Sequence, residues 1–352
     1  LEKRLEFENM PLPESLLEVA DKIDNEKRED KMVLASELRM KLDGSLTDEK
    51  GTFEYPMEEY AFKGLLARMR YFPMMAKGLM MNNAPARARY FNSVVKQRKN
   101  QFTDEAKGPL MINLGTRMNY NQRRIYRAVS PTYQGEMNAA HVLRAQYKAL
   151  QYSDARVTCV YNPETTVVTS DLLWNEKHDG GLGAGSVFRV GLRAKTGDRG
   201  NHGYYIDAIA LRNLCLNIIV IATEKSNFFY ARHVGDAQRI ISGVTDGLKN
   251  AQKALGPFLE DWGYLEKMNI NQIRIWGKRF KTVKAALEYG VLKKKIATNV
   301  AKDIAFDILV NALDKEPGDN LASLINAYTR AAHTSLLDDI QRDIMEREAG
   351  KL

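Results

Sequence analysis

Residues 156–173 read RVTCVYNPETTVVTSDLL, two runs rich in apolar residues on either side of a short polar interruption. β-Branched and apolar side chains dominate residues 156–161 and 165–173, a composition that is typical of strands. Asn162-Pro163-Glu164 between the two runs is a turn signal, because proline fixes φ and asparagine bonds to nearby backbone N–H groups. The stretch therefore predicts a β-hairpin.

The residues that follow predict a second hairpin. Residues 186–195 and 204–211 alternate apolar and polar side chains on either side of a longer loop, TGDRGN at 196–201. A further strand is predicted at 217–223. Together these runs form the sheet of one domain.

Two helices are predicted beside these strands. Asn138 caps a helix over residues 138–150, and an apolar stripe marks another over 236–255, which Gly256-Pro257 ends. Strands packed on helices predict an α+β fold with antiparallel β-hairpins in a β-β-β-α-like core.

The flanking regions differ in composition. The N-terminal region is predicted to hold a helix from about residue 13 to residue 41, broken by Asp43-Gly44-Ser45. A cluster of five methionines between Met69 and Met81 predicts adaptable packing, within a core or between subunits. Four segments are predicted: an acidic, helical N-terminal arm (1–60), a basic segment rich in methionine and aromatic residues (61–137), an α+β core domain (138–257) and a helical C-terminal region (258–352).

The charge of the chain is segregated. Residues 61–156 hold seventeen Lys/Arg and four Asp/Glu, whereas residues 1–60 hold nine basic and seventeen acidic side chains. Opposite fields attract, so the two segments are predicted to pair within the chain or between subunits. The alternative is a charged helix that is simply solvated.

Aromatic residues are interleaved with the basic ones in 61–156. Cations neutralise phosphates and flat rings stack on unpaired bases, so this composition favours single-stranded nucleic acid. The alternative is an ordinary basic face over core aromatics, or, at strand ends, hydrogen bonding to turn backbone. The candidate contact residues are, first, Arg123, Arg124, Tyr126, Arg127 and Tyr133; second, Arg87, Arg89, Lys96, Arg98 and Lys99; and, at strand ends, Arg212, Asn217, Arg232 and His233.

The sequence offers no positive sign of catalysis. The glycine-rich run 180–185 precedes strand-like residues rather than a helix, so it predicts a hairpin loop rather than a phosphate loop. No metal-ligand spacing joins the histidines and cysteines, and a site of His202, His233 and Cys215 could form only through the fold. We therefore predict no enzyme, no cofactor and no metal.

Cellular setting follows from a few further features. Cys159 and Cys215 lie in apolar, strand-like runs, which predicts buried free thiols in a reducing compartment. No run approaches the ~20 apolar residues that cross a bilayer, so no membrane partner is expected.

Several short motifs resemble a phage- and plasmid-encoded family, catalogued as domain of unknown function 932. The resemblance spans roughly residues 125–335 and rests on the order and spacing of these motifs. The chain departs from the family where Ile218-Ile219 follows Asn217, since a Thr-Leu pair is expected there. The motifs are Ser130-Pro131-Thr132-Tyr133 with Asn138, the run 212–217 (RNLCLN), the run 232–235 (RHVG) and the run 326–333 (NAYTRAAH).

The resemblance implies a mobile-element setting but no activity. A weaker likeness, the order hairpin, hairpin, helix, is similar to the core of single-strand annealing proteins of the Rad fifty-two and Red-beta type. That likeness implies a homo-oligomer that holds one strand in a basic groove without catalytic residues. It also implies a role in DNA recombination.

The resulting hypothesis is a phage or plasmid protein that binds single-stranded DNA and anneals it, as a homo-oligomer in the cytoplasm of a bacterial host. Two alternatives stay open. One is a structural or assembly protein of the virion, located in the virion, which would use the N-terminal third for subunit contacts. The other is an enzyme that processes nucleic acid.

Overall fold

The computed structural model describes most of the chain between residues 14 and 332. Three antiparallel sheets with helices packed on them make the described part an α+β fold, as the sequence predicts. The described residues are 14–69, 83–102, 108–119, 121–133, 138–150, 156–174, 177–179, 187–199, 203–212, 217–220, 229–231, 260–292 and 318–332, with short pieces at 242–243, 246, 250, 253, 257–258, 309–311, 346 and 349.

Short strands and three helices make up the first half of the fold. The elements are α1 (Glu14–Asp24), β1 (Glu29–Leu34), β2 (Leu38–Met40), β3 (Ser45–Asp48), β4 (Glu54–Pro56), α2 (Glu59–Arg68), α3 (Ala84–Phe102), β5 (Met111–Asn119), β6 (Gln122–Val129) and α4 (Ala139–Leu150). The second half holds β7 (Arg156–Asn162), β8 (Val167–Leu173), β9 (His178–Asp179), β10 (Val187–Gly197), β11 (Tyr204–Arg212), β12 (Asn217–Val220), β13 (Phe229–Ala231), α5 (Val283–Leu292) and α6 (Leu321–Ala332).

Two three-stranded sheets join the N-terminal region to the basic segment. Their strand orders are β1-β5-β6 and β2-β3-β4. Helix α3 docks on β2 through Asn92, whose side chain accepts a 2.9 Å bond from the Met40 N–H and donates a 2.8 Å bond to the Met40 carbonyl. Leu46, Phe62 and Phe91 belong to the core that these sheets share with α2 and α3. Residues before and after position 60 therefore build one unit.

The seven-stranded sheet contains both predicted hairpins. Its main order is β12-β11-β10-β8-β7, with β13 beside β11 and β9 beside β10. The Asn162 side chain accepts bonds from the N–H groups of Glu164 and Thr165, which closes the β7–β8 turn as the sequence predicts. The second hairpin is confirmed over β10 and β11.

One face of this sheet is apolar. Because neighbouring strands are paired in register, Val157, Leu172, Leu192 and Ala208 point to the same side. Helices α1 and α4 cover this row and share its core. Further along the strands, Phe188 and Val190 pack with Trp262 and with residues of α5 and α6.

The N-terminal cap of α4 is confirmed. The Asn138 side chain accepts a 3.0 Å bond from the His141 N–H, and Val142 and Leu150 are buried. Most of the helix predicted at 236–255, and the loop predicted at 180–185, lie outside the described residues, as does Cys215.

The helix predicted from 13 to 41 is wrong beyond Asp24. Lys27 has a φ of 45°, which a continuing helix cannot accommodate, and residues 29–34 form β1 instead. Strand β1 pairs with β5, more than seventy positions away, with Glu29 opposite Thr116. The predicted turn at Asp43-Gly44-Ser45 is confirmed as the β2–β3 connection, where Gly44 has a φ of 90°.

The prediction that 258–352 is helical throughout is also wrong. Between the helical residues 260–267 and α5, the chain forms a 3₁₀ turn at Ile270–Gln272 and a tight turn at Trp276-Gly277. The backbones of Ile275 and Lys278 bond to each other across that turn, and both central residues have positive φ. None of the described helices is both long and apolar enough to cross a bilayer.

Candidate nucleic-acid interface

Strand β6 carries the residues that the sequence favours most for nucleic-acid contact, and it turns the key ones inward. Tyr126 is 1% exposed, Arg127 is 3% exposed and Tyr133, just after the strand, is 8% exposed. Gly115 on β5 makes room for this arrangement, since a Cβ there would overlap the Arg127 side chain. The prediction that Tyr126, Arg127 and Tyr133 form an open contact surface therefore conflicts with their burial.

These residues belong to a buried arginine cluster. It joins the β1-β5-β6 sheet, the β7–β8 turn and the loop after β10. Its arginines are Arg28, Arg117, Arg127 and Arg199, its carboxylates are Glu26, Asp30, Glu58 and Asp198, and its tyrosines are Tyr126, Tyr133 and Tyr161.

Asp198 is the fully buried acid of the arginine cluster. One carboxylate oxygen accepts a bond from Arg28, and the other accepts a 3.0 Å bond from the Ala139 N–H at the start of α4. Arg127 donates a 3.0 Å bond to the Asp198 carbonyl. A negative charge at a helix N-terminus is favourable, so Asp198 ties α4, β1 and β6 to the loop after β10.

Glu58 holds two further arginines of the cluster. Arg117 donates to both Glu58 oxygens, at 2.8 and 3.0 Å, and Arg199 donates to one of them at 2.6 Å. The two-pronged contact suits the planar guanidinium and is stronger than a single neutral hydrogen bond. Because Glu58 directly precedes α2, this contact fixes that helix on the cluster.

Guanidinium groups also cover the tyrosine rings. Arg28, Arg117 and Arg127 lie 5.1, 5.5 and 5.4 Å from the centre of the Tyr126 ring. Arg127 lies 4.5 Å from the centre of the Tyr133 ring. Burial raises the pKa of both tyrosines. These rings therefore stack on the protein's own arginines, in a position that unpaired bases cannot reach without a rearrangement.

The other two first-choice residues lie nearer the surface. Arg123 donates to Glu29 at 2.8 Å and to the Thr116 hydroxyl at 2.9 Å. Arg124 is half-buried and bonds to the Gln122 side chain at 3.3 Å. Arg123 thus contacts β1 and β5. Of the three first-choice arginines, Arg124 is the one without an ion pair among the described residues.

Ion pairs join the acidic first sixty residues to the basic segment, as the sequence predicts for pairing within the chain. With Lys63 on Glu59, at least six of the seventeen cations of residues 61–156 are paired in this way. The pairs are Glu26 and Glu58 with Arg117, Glu29 with Arg123, Asp30 with Arg127, Asp21 and Asp24 with Arg144, and Glu49 with Lys99.

Helix α3 carries the second group of candidate contact residues and has no acidic side chain. Its nineteen residues include five basic and no acidic side chains. Arg89, Lys96 and Lys99 are exposed on one side, while Arg87 and Arg98 are half-buried. Lys99 is 3.8 Å from Glu49, and the Arg87 guanidinium lies over the Phe62 ring. Arg89 and Lys96 therefore present the least compensated charge of this set.

The strand-end candidates are only partly described. The backbones of Arg212 and Asn217 are paired in register between β11 and β12. Arg232 and His233 lie outside the described residues. Tyr204 to Ile206 pair with β13, the strand that directly precedes Arg232.

The structure adds a surface that sequence reasoning missed, which we name the basic turn (residues 274–284). Its five basic side chains are all exposed, and none forms an ion pair with a described residue. No acidic residue lies between Glu266 and Glu288. The five are Arg274, Lys278, Arg279, Lys281 and Lys284.

Aromatic rings lie among the cations of the basic turn. Phe280 and Tyr289 have ring centres 5.3 Å apart, and Trp276 is 6.5 Å from Phe280. Lys278 sits 4.7 Å from the centre of the Tyr289 ring. All three rings are half-buried, so each keeps part of its surface accessible. The basic turn therefore combines free cations with partly open rings.

A local sequence signal for the basic turn existed. Residues 272–284 read QIRIWGKRFKTVK, which interleaves five cations with Trp276 and Phe280. Two other patterns outweigh this signal. One is the helical pattern expected throughout residues 258–352, and the other is the larger net charge of residues 61–156, which is +13. Within the described residues, no group of three His, Cys, Asp or Glu has the geometry of a metal site.

Cys159 is a half-buried free thiol on β7. Burial, and then the nearby Asp171 carboxylate, raise its pKa to about 12.

The thiolate is the reactive form, so at pH about 8 we expect Cys159 to alkylate at least ~100-fold more slowly than an ordinary thiol of pKa ~8.5. The rate should rise as the pH approaches 12. Mass spectrometry of iodoacetamide-treated protein separates Cys159 from Cys215, and the urea-unfolded chain is the control. Equal rates in folded and unfolded protein would contradict the burial of this thiol.

Comparison of the chain with family models gives no match, and searches of curated proteins and of solved structures also give none. The resemblance to the phage- and plasmid-encoded family therefore stays a prediction.

Proposed function

We propose that this protein binds single-stranded nucleic acid through the basic turn. The observation that supports this most is five exposed cations within eleven residues, free of ion pairs in the described part of the chain and interleaved with aromatic rings. Cations of this kind replace the counterions of the phosphate backbone, which makes binding favourable and dependent on salt.

The rings favour single strands over duplexes. Bases in a duplex are stacked on one another, so Trp276 and Phe280 could contact them only after unstacking. An unpaired base costs less to stack on an aromatic ring, and each such contact contributes ~1–3 kcal/mol. The mixture of rings and cations thus suits a flexible strand.

The exposed side of α3 offers a second contact region. Arg89 and Lys96 are exposed there on a helix without acidic residues, and Asn100 and Ser93 provide neutral donors beside them. Exposed cations on a helix bind phosphates without reading bases. We assign this face a supporting role, because it has fewer exposed cations without an ion pair than the basic turn.

We further propose that the protein anneals complementary DNA strands as a homo-oligomer in the bacterial host of a phage or plasmid. This more specific function is supported by the resemblance to the phage- and plasmid-encoded family and by the weaker likeness to single-strand annealing proteins.

Replacement of three cations of the basic turn tests the proposal. In the variant Arg274→Gln/Arg279→Gln/Lys281→Gln, we expect the plot of log K against log salt to become flatter by ~2 units, at ~0.7 per lost phosphate contact. The variant should also bind more weakly at low salt. Fluorescence anisotropy of a labelled single strand measures both quantities.

A matched variant controls for the loss of charge alone. Lys22, Lys50 and Lys148 are exposed, and none forms an ion pair with a described residue, so their replacement by Gln removes the same charge from other surfaces. We expect this control to keep nearly the wild-type slope. If both variants lose affinity equally, the attraction belongs to the overall charge and the basic turn is not the site.

A further inference from the structure

The basic turn contains a tight two-residue turn at Trp276-Gly277. Ile275 and Lys278 exchange both backbone hydrogen bonds across it, with N···O distances of 2.8 and 3.0 Å. Trp276 has a φ of 51° and Gly277 a φ of 79°, so both central residues lie in the left-handed region. Turns of this shape favour asparagine, aspartate or glycine, because a bulky side chain is strained there. Tryptophan is therefore an unfavourable residue at position 276.

Other tight turns of the chain follow the usual preference. The β5–β6 turn has Asn121 at a φ of 64°, and the β2–β3 turn has Gly44 at a φ of 90°. Among the described residues, Trp276 is the one aromatic residue with a positive φ. Strained backbone conformations of this kind are concentrated at functional sites. The position that the turn gives to the indole ring, rather than the stability of the turn, therefore accounts for tryptophan here.

Two aromatic neighbours support the Trp276 ring. The Tyr289 ring centre is 6.2 Å away, with 31° between the two ring planes, and the Phe280 ring centre is 6.5 Å away at 78°. These contacts, and the core beside them, leave the indole half-buried. The ring is thus held in place while part of its surface stays accessible.

The indole N–H of Trp276 differs from that of Trp262. Trp262 is 1% exposed, and its N–H donates a 2.9 Å bond to the Glu266 carboxylate. A tryptophan that is buried in a core usually finds such an acceptor. For the Trp276 N–H, no acceptor is present in the described part of the chain. It is therefore left to water or to a ligand.

Cations flank Trp276 along the chain. Arg274 precedes it by two positions, Lys278 and Arg279 follow it, and all three are exposed. The Lys278 ammonium lies 4.7 Å from the centre of the Tyr289 ring, which is also the ring that supports Trp276. A base stacked on Trp276 would therefore bring its neighbouring phosphates close to positive charge.

The chain on both sides of the two-residue turn is fixed to the loop before α6. Asp319 in that loop accepts a 3.3 Å bond from the Val283 N–H through its carboxylate, and a 2.8 Å bond from the Ile270 N–H through its carbonyl. Ile275, next to Trp276, is itself buried. The site is thus ordered before a ligand arrives, which lowers the entropic cost of binding.

We propose that Trp276 is the residue of the basic turn that stacks on an unpaired base, and that the strained turn fixes its ring among the cations. The inference rests on the proposed function, since it assigns a specific contact to one side chain of that site. The contact requires an unpaired base but does not depend on its identity, because every base has a flat face.

The variant Trp276→Asn tests this contact, because asparagine suits the turn and removes the ring. For oligothymidylate, we expect the dissociation constant to rise ~5- to 100-fold, the usual loss for one base–ring contact. The salt slope should stay that of wild type, since a ring holds no counterions. For an oligomer of the same length whose sugars carry no bases, we expect the variant and wild type to bind equally.

Tyr60→Leu is the matched control on another surface. The Tyr60 ring is 38% exposed and has the Lys63 ammonium 4.9 Å from its centre, so this variant also removes an accessible ring beside a cation. We expect it to bind oligothymidylate like wild type. A loss equal to that of Trp276→Asn would show that stacking is not located at Trp276, and would overturn the inference.

Tryptophan fluorescence tests the contact in protein that keeps a ring at position 276. A base stacked on an indole quenches its emission, so oligothymidylate should lower the emission of wild type, and the oligomer without bases should not. In Trp276→Phe, which keeps a flat ring, we expect the quenching to disappear while most of the affinity remains.

Two results would overturn the inference and leave the proposed function intact. One is an equal loss of affinity of folded Trp276→Asn for both oligomers, because the ring would then act only on the phosphate contacts. The other is wild-type affinity of Trp276→Asn for oligothymidylate, with quenching retained in Trp276→Phe. If wild-type protein binds neither oligomer at low salt, the proposed function itself is refuted.

Discussion

Replacement of Asp198 by alanine should lower the free energy of unfolding by ~3–5 kcal/mol, since a buried ion pair loses one partner. Arg28 would keep its buried charge with less compensation, and the Ala139 N–H at the start of α4 would lose its acceptor. The loss is large because the Asp198 side chain joins two separate parts of the chain, Arg28 before β1 and Ala139 at the start of α4.

Urea unfolding, followed by circular dichroism, measures this loss. Asp261→Ala is the matched control, because Asp261 is exposed, and we expect it to change stability by less than ~0.5 kcal/mol. Asp198→Asn should fall between the two, since an amide oxygen can still accept the helix N–H bond. If Asp198→Ala were as stable as the control, the contacts of Asp198 in the arginine cluster would not stabilise the fold, contrary to this account.

Replacement of Tyr126 by alanine should also cost ~3–5 kcal/mol, the usual loss for a large aromatic side chain in a core. Its ring is buried under Arg28, Arg117 and Arg127, so truncation leaves a cavity and removes three cation–ring contacts. In protein that remains folded, we expect little change in affinity for single strands.

Thermal unfolding and anisotropy on the same samples separate the two roles of Tyr126. Tyr264→Ala is the control, because that ring is 66% exposed and should be removable at little cost in stability. A Tyr126→Ala protein that is as stable as wild type but loses affinity would show that the ring contacts bases, as its sequence neighbours suggest.

The sequence predicts the parts of this fold that depend on short-range chemistry. The Asn162 turn, the Asn138 cap and the alternation on β10 and β11 each require residues that lie within a few positions of one another. Such signals are readable without knowledge of the tertiary contacts.

Long-range pairing accounts for most of what the sequence does not reveal. Residues 29–34 extend as β1 because β5 lies beside them, and a helical pattern in the same residues is overridden by that contact. Similarly, Arg123 to Arg127 form a basic, aromatic run, but the alternation of a strand and its partners decides which side chains face inward.

The net charge of a segment does not show whether its charged side chains bind a ligand or pair with other residues of the same chain. At least six of the seventeen cations of residues 61–156 pair with acids of the first sixty residues, among them Arg117 with Glu58 and Arg127 with Asp30. The basic turn has a smaller charge, but no acid lies between Glu266 and Glu288, and its cations are exposed. The absence of acidic residues within a basic run is therefore a more useful signal for an exposed basic surface than the size of its net charge.

The most direct test is a salt titration of wild-type protein with a labelled single strand and with the matching duplex. We expect tighter binding of the single strand, and a log K that falls linearly with log salt by ~0.7 for each phosphate neutralised. Failure to bind at low salt, or an affinity that does not change with salt, would contradict the assignment of this protein to single-stranded nucleic acid.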